Sequence, residues 1–584
     1  MKTNWEFESL NGDFVEDRKL IEKAFDDFVL DWENNSKYLE SSEELKSVLD
    51  DYEYLIKKFD NCGTEGYYYW LKQELDKNDI NTRSKFMQAE EFSIKQSNKI
   101  LFFEITLSKI SKEKQIEFLN DKNLFEYKNF LKNIFDNSKH ILSVKEEKIL
   151  SLKSSGSYSM WVKMVESLLS KELRVVDGKE MTYPELINTM RSTKKDIRDL
   201  ANKEFENIMR KYEDIAEVEL NAVLENIKVD NELRGFNRFD ESRIKKDGID
   251  FEFIDSILEA IKDKFSISKR YYSLIAKLIG QEKIGYHERN VETGKINKKY
   301  SYEEGITMVK KVFSNLDNEF LDIFNNMIEE GRLDAFPKKG KNGGAFCVHW
   351  RKNDPVYVLL NHTGDMRDVT TLAHEMGHAI NDSIMTQKEN ALNYETPKAT
   401  AEVASIFMED FVFEEILKTA NEEEKFCLLI KKIGEEISSI HRQVSLYLFE
   451  LEIHKIYKEE GYLSKTRIGE IFVKNMSNYL GENVTMKNAN LWWIYWGHIR
   501  MYFYVYSYAS GALISKAMQS KYRKDNSFMK YIKEFLRTGG SSTPREIFEK
   551  MGIKINKEFF IDGLLEIEKN LDKAEKLAKD LGKI

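Results

Sequence analysis

The segment His374-Glu375-Met376-Gly377-His378 decides how the rest of this 584-residue chain is interpreted. The residues from Met366 to about Met385 around it contain no proline and one glycine, which predicts a helix. Two histidines four positions apart then share one face of the helix, and each can offer an imidazole nitrogen to the same ion. Glu375 is offset by one position, where its carboxylate can reach a water on that ion.

Two alternatives to a metal site are chance and a solvated helix face. The chain has nine histidines and 100 acidic residues in 584 positions, and chance would then produce roughly 0.02 such motifs. A solvated face would be polar on all sides, whereas the flanking residues are mostly apolar and predict burial, namely Leu372, Ala373, Met376, Ala379 and Ile380. Buried imidazoles and a buried carboxylate need compensating partners, and a metal ion supplies them.

The third ligand is predicted from the next segment. Thr396-Pro397 is typical of a helix start, and the helix would carry Glu402 and Glu409 on one face. A single glutamate on a helix is usually an exposed charge, but the apolar residues around Glu402 predict a buried helix. A catalytic zinc takes three protein ligands and keeps its fourth position open. We therefore predict one Zn2+ per chain held by His374, His378 and Glu402, with Glu409 and Asp410 as candidates to orient the imidazoles.

The fold class follows from the spacing of apolar residues. Only five prolines occur, and apolar side chains recur every three or four residues in stretches such as 205–227 and 251–279, so the chain is predicted to be mainly α-helical. Asp177-Gly178 indicates a turn, and Thr182 to Glu185 indicates a capping box, which together place a boundary near residue 190. The predicted organisation is an N-terminal helical lobe, residues 1–190, and a second lobe, residues 191–584, that carries the motif.

One region departs from the helical pattern. Between residues 337 and 363, a glycine-rich loop is followed by two short apolar runs with a polar turn between them, which predict a small β-hairpin beside the motif. The loop from Lys338 to Gly344 suggests phosphate binding, but it lacks the GxxxxGK[ST] spacing and no helix follows it directly.

Composition and charge exclude several classes of protein. Charged residues make up 33% and aromatic residues 12% of the chain, as in soluble globular proteins. The formal charge is -10 and no basic block occurs, which argues against a nucleic-acid partner. There is no apolar run of about 18 residues and no apolar signal segment at the start, so we expect a cytoplasmic protein without a membrane partner.

The three cysteines are widely spaced, which predicts reduced, mostly buried thiols and no cysteine metal site. They are Cys62, Cys347 and Cys427.

The motif and its surroundings resemble one family of peptidases. Residues 371–379 and 402–409 together resemble the oligoendopeptidase F branch of the thimet oligopeptidase family of zinc metallopeptidases. The resemblance extends upstream to Gly344-Ala345-Phe346-Cys347 and downstream to His498 and residues 503–511. The matching motifs therefore cover roughly residues 340–511.

This resemblance implies a mainly α, two-lobed molecule that closes around a deep channel, with zinc at its floor and short unstructured peptides as substrates. It implies that the strand at Gly344, Ala345 and Phe346 pairs with the substrate backbone. It also implies hydrolysis of internal peptide bonds by the second lobe, with Glu375 as general base on a zinc-bound water.

The tyrosines at 502, 504, 506 and 508 alternate at period two, which alone predicts a half-buried strand or an aromatic core. In the resembled family, a histidine and tyrosines at this place donate hydrogen bonds to the developing oxyanion. On that basis His498 and Tyr506 are predicted to stabilise the oxyanion and Tyr504 to contact substrate, while the inward-pointing tyrosine is left open. The chain departs from the family pattern at Asn381, where a histidine is common, and at residues 499–502.

Three other functions are compatible with the sequence. A helical zinc metallocarboxypeptidase would trim C-termini with the same kind of ligand set, and a non-catalytic relative would bind peptides without cleaving them. A purely structural scaffold would leave the motif and Glu402 to coincidence. The preferred peptide length, the cleavage-site residues, the physiological substrate and the oligomeric state do not follow from the sequence.

Overall fold

The chain is mainly helical, as predicted, and divides into two compact units. The computed structural model describes residues 1–60, 63–294 and 298–584, apart from the side chains of residues 144, 148 and 151. The motif unit comprises Met1–Lys139, Lys298–Lys418 and Lys521–Ile553, and the tyrosine unit comprises His140–Asn297, Thr419–Ser520 and Lys554–Ile584. Each unit is thus built from three separate segments, and the division into residues 1–190 and 191–584 stays a prediction.

The motif unit is assembled from helices of all three segments. Several begin after an Asp or Ser whose side chain accepts hydrogen bonds from the first turn, as Asp79 does from the N–H groups of Asn81 and Thr82. The α-helices that lie wholly or mainly in this unit are Phe14–Trp32, Ser42–Phe59, Gly63–Leu75, Ile80–Ser108, Lys112–Asn120, Lys128–Asn137, Tyr302–Leu316, Asn318–Glu329, Met366–Met385, Val403–Thr419, Met529–Arg537 and Pro544–Lys550.

A three-stranded sheet lies beside the helix that carries the HExxH motif. Phe346–Val348 and Tyr357–Leu359 form the predicted antiparallel hairpin, with Cys347 opposite Val358. Leu333–Asp334 adds a third, parallel strand on the other side of Tyr357–Leu359, so Phe346–Val348 is an edge of the sheet. This third strand was not predicted, because two residues are too few to show a periodicity.

Aromatic side chains support the sheet from the N-terminal segment. Trp5, Tyr67 and Tyr357 are buried in one cluster, against which Phe346 and Trp350 pack. The indole N–H of Trp5 donates to the carbonyl oxygen of Val358 at 2.9 Å, which ties the start of the chain to the central strand. The hairpin is therefore backed by a packed apolar face.

The tyrosine unit contains the longest helix of the described chain, Lys195–Leu233. The other α-helices that lie wholly or mainly in this unit are Val144–Ser154, Met160–Ser170, Tyr183–Thr189, Glu241–Lys246, Phe251–Asp263, Phe265–Leu278, Glu422–Ser439, His441–Glu460, Lys465–Leu480, Tyr506–Lys524 and Lys557–Asp580. The predicted helical run 251–279 is thus two helices that meet at Lys264.

Two small sheets complete this unit. Leu173–Val176 pairs antiparallel with Lys179–Thr182 across the predicted turn, where Asp177 and Gly178 both have positive φ. The predicted capping box of Thr182 and Glu185 opens the helix that follows. Ile284–Gly285 and Val484–Thr485 form a short parallel pair.

The described cysteines are free thiols, as predicted: Cys427 is buried and Cys347 is half-buried. Cys62 lies outside the described residues. Within the described ranges, no helix combines the length and the low charge that would let it cross a membrane.

Candidate active site

The motif helix, Met366–Met385, has the bounds that the sequence predicts. Its N-terminus is closed by Asp368, whose carboxylate accepts from the backbone N–H groups of Thr363 and Asp365 at 2.7 and 3.0 Å. Gly377 lies in contact with the next helix, because a Cβ there would come within 2.5 Å of Ser405 Cα. The glycine therefore permits the close approach of the two helices.

His374, His378 and Glu402 converge where these helices meet. Glu402 Oε2 lies 3.3 Å from His374 Nε2 and 3.5 Å from His378 Nε2, and the three donor atoms form a group that could hold a metal ion. Ligand bonds of 2.0–2.2 Å at tetrahedral angles would put zinc ligand atoms about 3.4 Å apart. The spacing and the two-nitrogen, one-oxygen donor set thus fit a zinc ion.

The second helix, here named the ligand helix, starts later than predicted. It spans Val403–Thr419, and Glu402 belongs to the turn that precedes it. The prediction of a helix start at Thr396-Pro397 is wrong, because the N–H of Thr400 bonds to the carbonyl of Pro397 and the chain forms turns up to Glu402. Ser405 donates to Glu402 Oε2 at 3.0 Å and so fixes the carboxylate.

Glu409, one of the two residues predicted to orient the imidazoles, contacts His374. Its Oε2 lies 2.9 Å from His374 Nδ1, which leaves Nε2 directed at Glu402. A carboxylate on the second ring nitrogen fixes the orientation of a ligand histidine and increases its basicity. When the His374 ring is neutral, Glu409 thus keeps its proton on Nδ1 and leaves Nε2 free for a metal ion.

The carboxylates make the cluster attractive to a cation. Burial lowers the pKa of His374, but its hydrogen bonds to Glu402 and Glu409 outweigh burial and bring this pKa to about 10. Burial raises the pKa of Glu402, but the hydrogen bonds from His374 and His378 outweigh it and hold this pKa well below its usual value. Both shifts arise because the half-buried carboxylates of Glu402 and Glu409 stabilise positive charge on the imidazoles.

Glu375 is buried on the motif helix. Burial raises the pKa of its carboxyl above the ordinary value, although His374 and His378 oppose the shift. Its carboxylate accepts a hydrogen bond from the backbone N–H of Cys347, on the edge strand. The structure thereby brings the predicted base and the predicted substrate strand together.

The predicted peptide-binding residues Gly344, Ala345 and Phe346 lead into this edge strand. Asn361 holds their loop, because its side-chain amide donates to the carbonyls of Asn342 and Gly344 at 2.9 and 2.6 Å. The ammonium of Lys341 is buried and donates to the Asp334 carboxylate at 2.7 Å and to the carbonyls of Phe336 and Leu360. The ammonium of Lys341 thus anchors the glycine-rich loop to the sheet.

One contact near the edge strand was not predicted. His349 Nδ1 lies 2.9 Å from Asp382 Oδ2, one helical turn beyond His378 on the motif helix. Asn381, the residue that departs from the family pattern, donates instead to the carbonyl of Leu536 at 3.1 Å and is buried. No local sequence pattern links His349 to Asp382, so sequence reasoning had no signal for the pair.

The tyrosine segment, residues 497–508, belongs to the tyrosine unit and is not a strand. His498 lies in a short 3-10 helix, Gly497–Arg500, and Tyr506 starts the helix Tyr506–Lys524. The imidazole of His498 is hydrogen bonded to the hydroxyl of Tyr504, and the ring of Tyr508 lies 6.0 Å from that of His498. Burial and the nearby Arg442 lower the pKa of His498, so its ring is neutral at pH 7.

Tyr506 has a different environment from its neighbours. Its side chain is fully buried, and its hydroxyl donates to Asp247 Oδ2 at 2.8 Å. Tyr504 and Tyr508 are half-buried and lie with His498. The Tyr506 hydroxyl is thus committed to Asp247, whereas the Tyr504 hydroxyl is hydrogen bonded to His498. The ranking of Tyr506 ahead of Tyr504 stays a prediction.

Comparisons with known proteins identify the family of the chain. The family model described as peptidase family M3 matches residues 188–563, and that described as oligopeptidase F matches residues 107–171. The chain belongs to peptidase family M3. The M3 family consists of metallopeptidases, so this chain is a peptidase, and His374, His378 and Glu402 are a group that could hold a metal ion.

Its relatives are distant but match along most of their length. An oligoendopeptidase F homolog of Borreliella burgdorferi is 26% identical over 561 residues, which cover 94% of this chain and 92% of the relative. Oligopeptidase PepF of Bacillus subtilis is 24% identical over 80% of this chain and 72% of its own length. The M3 fold is also seen in oligoendopeptidase F of Enterococcus faecium, at 16% identity, with 97% and 99% of the two chains covered and a TM-score of 0.70. A crystal structure from Chlamydophila abortus gives a TM-score of 0.87 at 21% identity over 98% of each chain.

Proposed function

We propose that this M3 peptidase is a zinc-dependent oligoendopeptidase that hydrolyses internal peptide bonds of short unstructured peptides. The observation that supports this best is the convergence of His374, His378 and Glu402 at distances that suit one zinc ion. When bound by these residues, zinc would polarise the scissile carbonyl and acidify the attacking water.

Glu375 is proposed as the general base and then the general acid. Its carboxylate takes a proton from the attacking water and later delivers that proton to the leaving amine. The raised pKa of Glu375 suits this exchange, because a general acid and base works best when its pKa lies near the pH at which the enzyme operates. The Cys347 N–H holds the carboxylate in place between these steps.

The edge strand Phe346–Val348 is proposed to bind substrate as an added strand. One side of this strand pairs with Tyr357–Leu359, which leaves the other side as the edge of the sheet. Main-chain hydrogen bonds recognise an extended backbone of almost any sequence. This mode favours unstructured peptides, because a folded chain does not offer a free extended segment.

His498 and Tyr504 are proposed to donate hydrogen bonds to the oxyanion, with Tyr506 less suited for the reason given above. This role rests on the family resemblance, since both residues belong to the tyrosine unit and the ligands belong to the motif unit. Within the tyrosine unit, the neutral His498 ring and Tyr504 are hydrogen bonded to each other, so one of the two has a hydrogen left to donate to the oxyanion while this bond persists.

The decisive experiment is Glu375→Gln, tested on an internally quenched peptide whose two ends are blocked. The wild type should bind one zinc per chain and cleave this peptide, and the variant should keep the zinc but lose about 1,000-fold or more in kcat. Zinc is measured by elemental analysis and turnover by fluorescence.

Each rival function gives a different result in the same experiment. A metallocarboxypeptidase would leave the blocked peptide intact but shorten one with a free C-terminus. A non-catalytic relative would cleave neither peptide. Normal turnover by the Glu375→Gln variant would remove Glu375 from the mechanism.

A further inference from the structure

Two neighbouring non-glycine residues of the tyrosine segment have left-handed backbones. Tyr502 has φ 52° and Phe503 has φ 56°. This region is sterically disfavoured for residues with a Cβ, and two in succession persist only where the surroundings hold them. The contacts that hold these two residues come from distant parts of the tyrosine unit.

Arg243 binds the carbonyl groups at the first half of this turn. Its Nε donates to the carbonyl of Tyr502 at 3.0 Å and its Nη2 to the carbonyl of Met501 at 2.9 Å. Its Nη1 lies 3.4 Å from Asp247, which also accepts the Tyr506 hydroxyl. The planar guanidinium thus fixes two successive carbonyls in one orientation, which a lysine could not do.

Glu450 binds the amide at the second half of the turn. Its Oε2 accepts from the N–H of Phe503 at 2.8 Å, and the whole side chain is buried. Burial raises the pKa of Glu450 to about 8, so the carboxyl is mostly neutral at pH 7. A glutamine at this position would therefore offer the same acceptor oxygen and the same charge.

The turn sets the position of the next residue. Tyr504 follows Phe503 directly and hydrogen bonds to His498, six residues away, with ring centroids 5.4 Å apart. We infer that Arg243 and Glu450 are positioning residues that hold the Tyr502–Phe503 turn and thereby place the Tyr504 hydroxyl for the reaction. This inference rests on the proposed function, in which Tyr504 and His498 stabilise the oxyanion.

The test compares steady-state kinetics of Arg243→Lys, Glu450→Ala and Glu450→Gln with the zinc-loaded wild type. Arg243→Lys and Glu450→Ala should lower kcat about 10- to 100-fold, with KM within about 3-fold, because removing one oxyanion donor costs up to about 100- to 1,000-fold. Glu450→Gln should keep kcat within about 3-fold of the wild type. Zinc content should be unchanged in all three.

The matched control is Arg198→Lys, in the same unit. Arg198 is more buried than Arg243, with 3% against 12% of its side chain exposed, and it pairs with Glu288 at 2.7 Å, remote in sequence from the tyrosine segment. This variant should lower thermal stability without lowering kcat at 25 °C. An equal fall of kcat in Arg198→Lys would show that the effect of Arg243→Lys is general destabilisation, and it would overturn the inference.

A double-mutant cycle with Tyr504→Phe tests whether Arg243 acts through Tyr504. If it does, adding Arg243→Lys to Tyr504→Phe should change kcat by no more than about 2-fold, since the interaction is already absent. A full additional loss, or a Glu450→Gln variant as slow as Glu450→Ala, would overturn the inference.

Failure of the proposed function gives a different pattern. Absence of chelator-sensitive cleavage by the wild type would reject the zinc peptidase itself. Normal turnover by Tyr504→Phe would show that Tyr504 does not stabilise the oxyanion, and it would overturn this inference. The Glu375→Gln experiment would still test the role of the metal centre independently.

Discussion

The ligand cluster and the tyrosine segment are stabilised over very different sequence distances. His374 and His378 are one helical turn apart, and Glu409, which orients the first of them, is 35 residues away. In the tyrosine segment, by contrast, Arg500 is paired with Glu219, 281 residues away, and Tyr502 with Arg243, 259 residues away. The first region is therefore encoded mainly by local helical spacing, and the second by residues far along the chain.

The largest effect is expected at the locally encoded region. Glu402→Ala removes the only carboxylate of the predicted ligand set, so zinc content should fall well below one per chain and peptide cleavage by about 1,000-fold or more. Elemental analysis after dialysis gives the zinc content. The isosteric Glu402→Gln should behave in the same way, and a full complement of zinc in either variant would take Glu402 out of the ligand set.

The next effect tests the remotely encoded region. Glu219→Gln removes the charge that pairs with Arg500, and both side chains are buried, with exposed fractions of 0% and 3%. Breaking one partner of a buried ion pair costs about 3–5 kcal/mol, so the free energy of unfolding should fall by about that amount. Zinc content should not change.

The matched control for this variant is Glu232→Gln, on the same long helix but exposed. It should change the free energy of unfolding by less than about 0.5 kcal/mol. If Glu219→Gln lowered zinc content while it left stability intact, the contrast between the two regions would be wrong.

Gly377→Ala tests how closely the ligand cluster depends on packing. The added methyl would lie 2.5 Å from Ser405 Cα and 2.6 Å from the carbonyl oxygen of Ala404, both backbone atoms that cannot turn away. Separation of the two helices should cost about 1–3 kcal/mol in the free energy of unfolding and lower zinc affinity.

Gly156→Ala is the control for that substitution, because its added methyl would meet nothing within 4 Å. It should be neutral or slightly stabilising, as is usual for alanine in a helical segment. Equal zinc affinity in Gly377→Ala and the wild type would show that the cluster tolerates separation of its helices.

An effect of similar size to that of Gly377→Ala concerns pH. Burial lowers the pKa of His454, which packs on Phe503, to about 3, although Asp240 opposes the shift. The unfolded chain binds a proton at His454 below about pH 6.5 while the folded chain does not, so stability falls as the pH is lowered from about 6.5 toward 3. Between pH 7 and pH 5 the wild type should lose about 2 kcal/mol more than His454→Phe. Parallel pH profiles of the two proteins, from denaturant unfolding, would contradict this assignment.

The sequence was sufficient to predict which three residues come together as candidate metal ligands. A helix without proline places His374 and His378 one turn apart on the same face. Glu402 was identified because it is an acidic residue in an apolar segment. The start of the ligand helix was misplaced, because Thr396-Pro397 has the composition of a helix start, whereas the chain turns until Glu402. Local capping signals cannot distinguish a helix from a succession of turns.

The tyrosine segment could not be derived in the same way. The period-two spacing of the tyrosines does not distinguish a strand from a left-handed turn that leads into a helix. The tyrosines concerned are Tyr502, Tyr504, Tyr506 and Tyr508. The difference is decided by Arg243 and Glu450, and no local pattern connects either residue to the segment. For the same reason, the hydrogen bond between Tyr506 and Asp247 could not be predicted from the sequence.

The hydrogen bond from Asn381 to the carbonyl of Leu536 has a consequence for the integrity of the motif unit. Leu536 lies in the last turn of the helix Met529–Arg537, where carbonyl groups have no partner within their own helix. The motif helix therefore caps the C-terminus of a helix from the third segment of its unit. A fragment that stops before this segment would lose the cap and expose a buried amide on the very helix that carries both histidines.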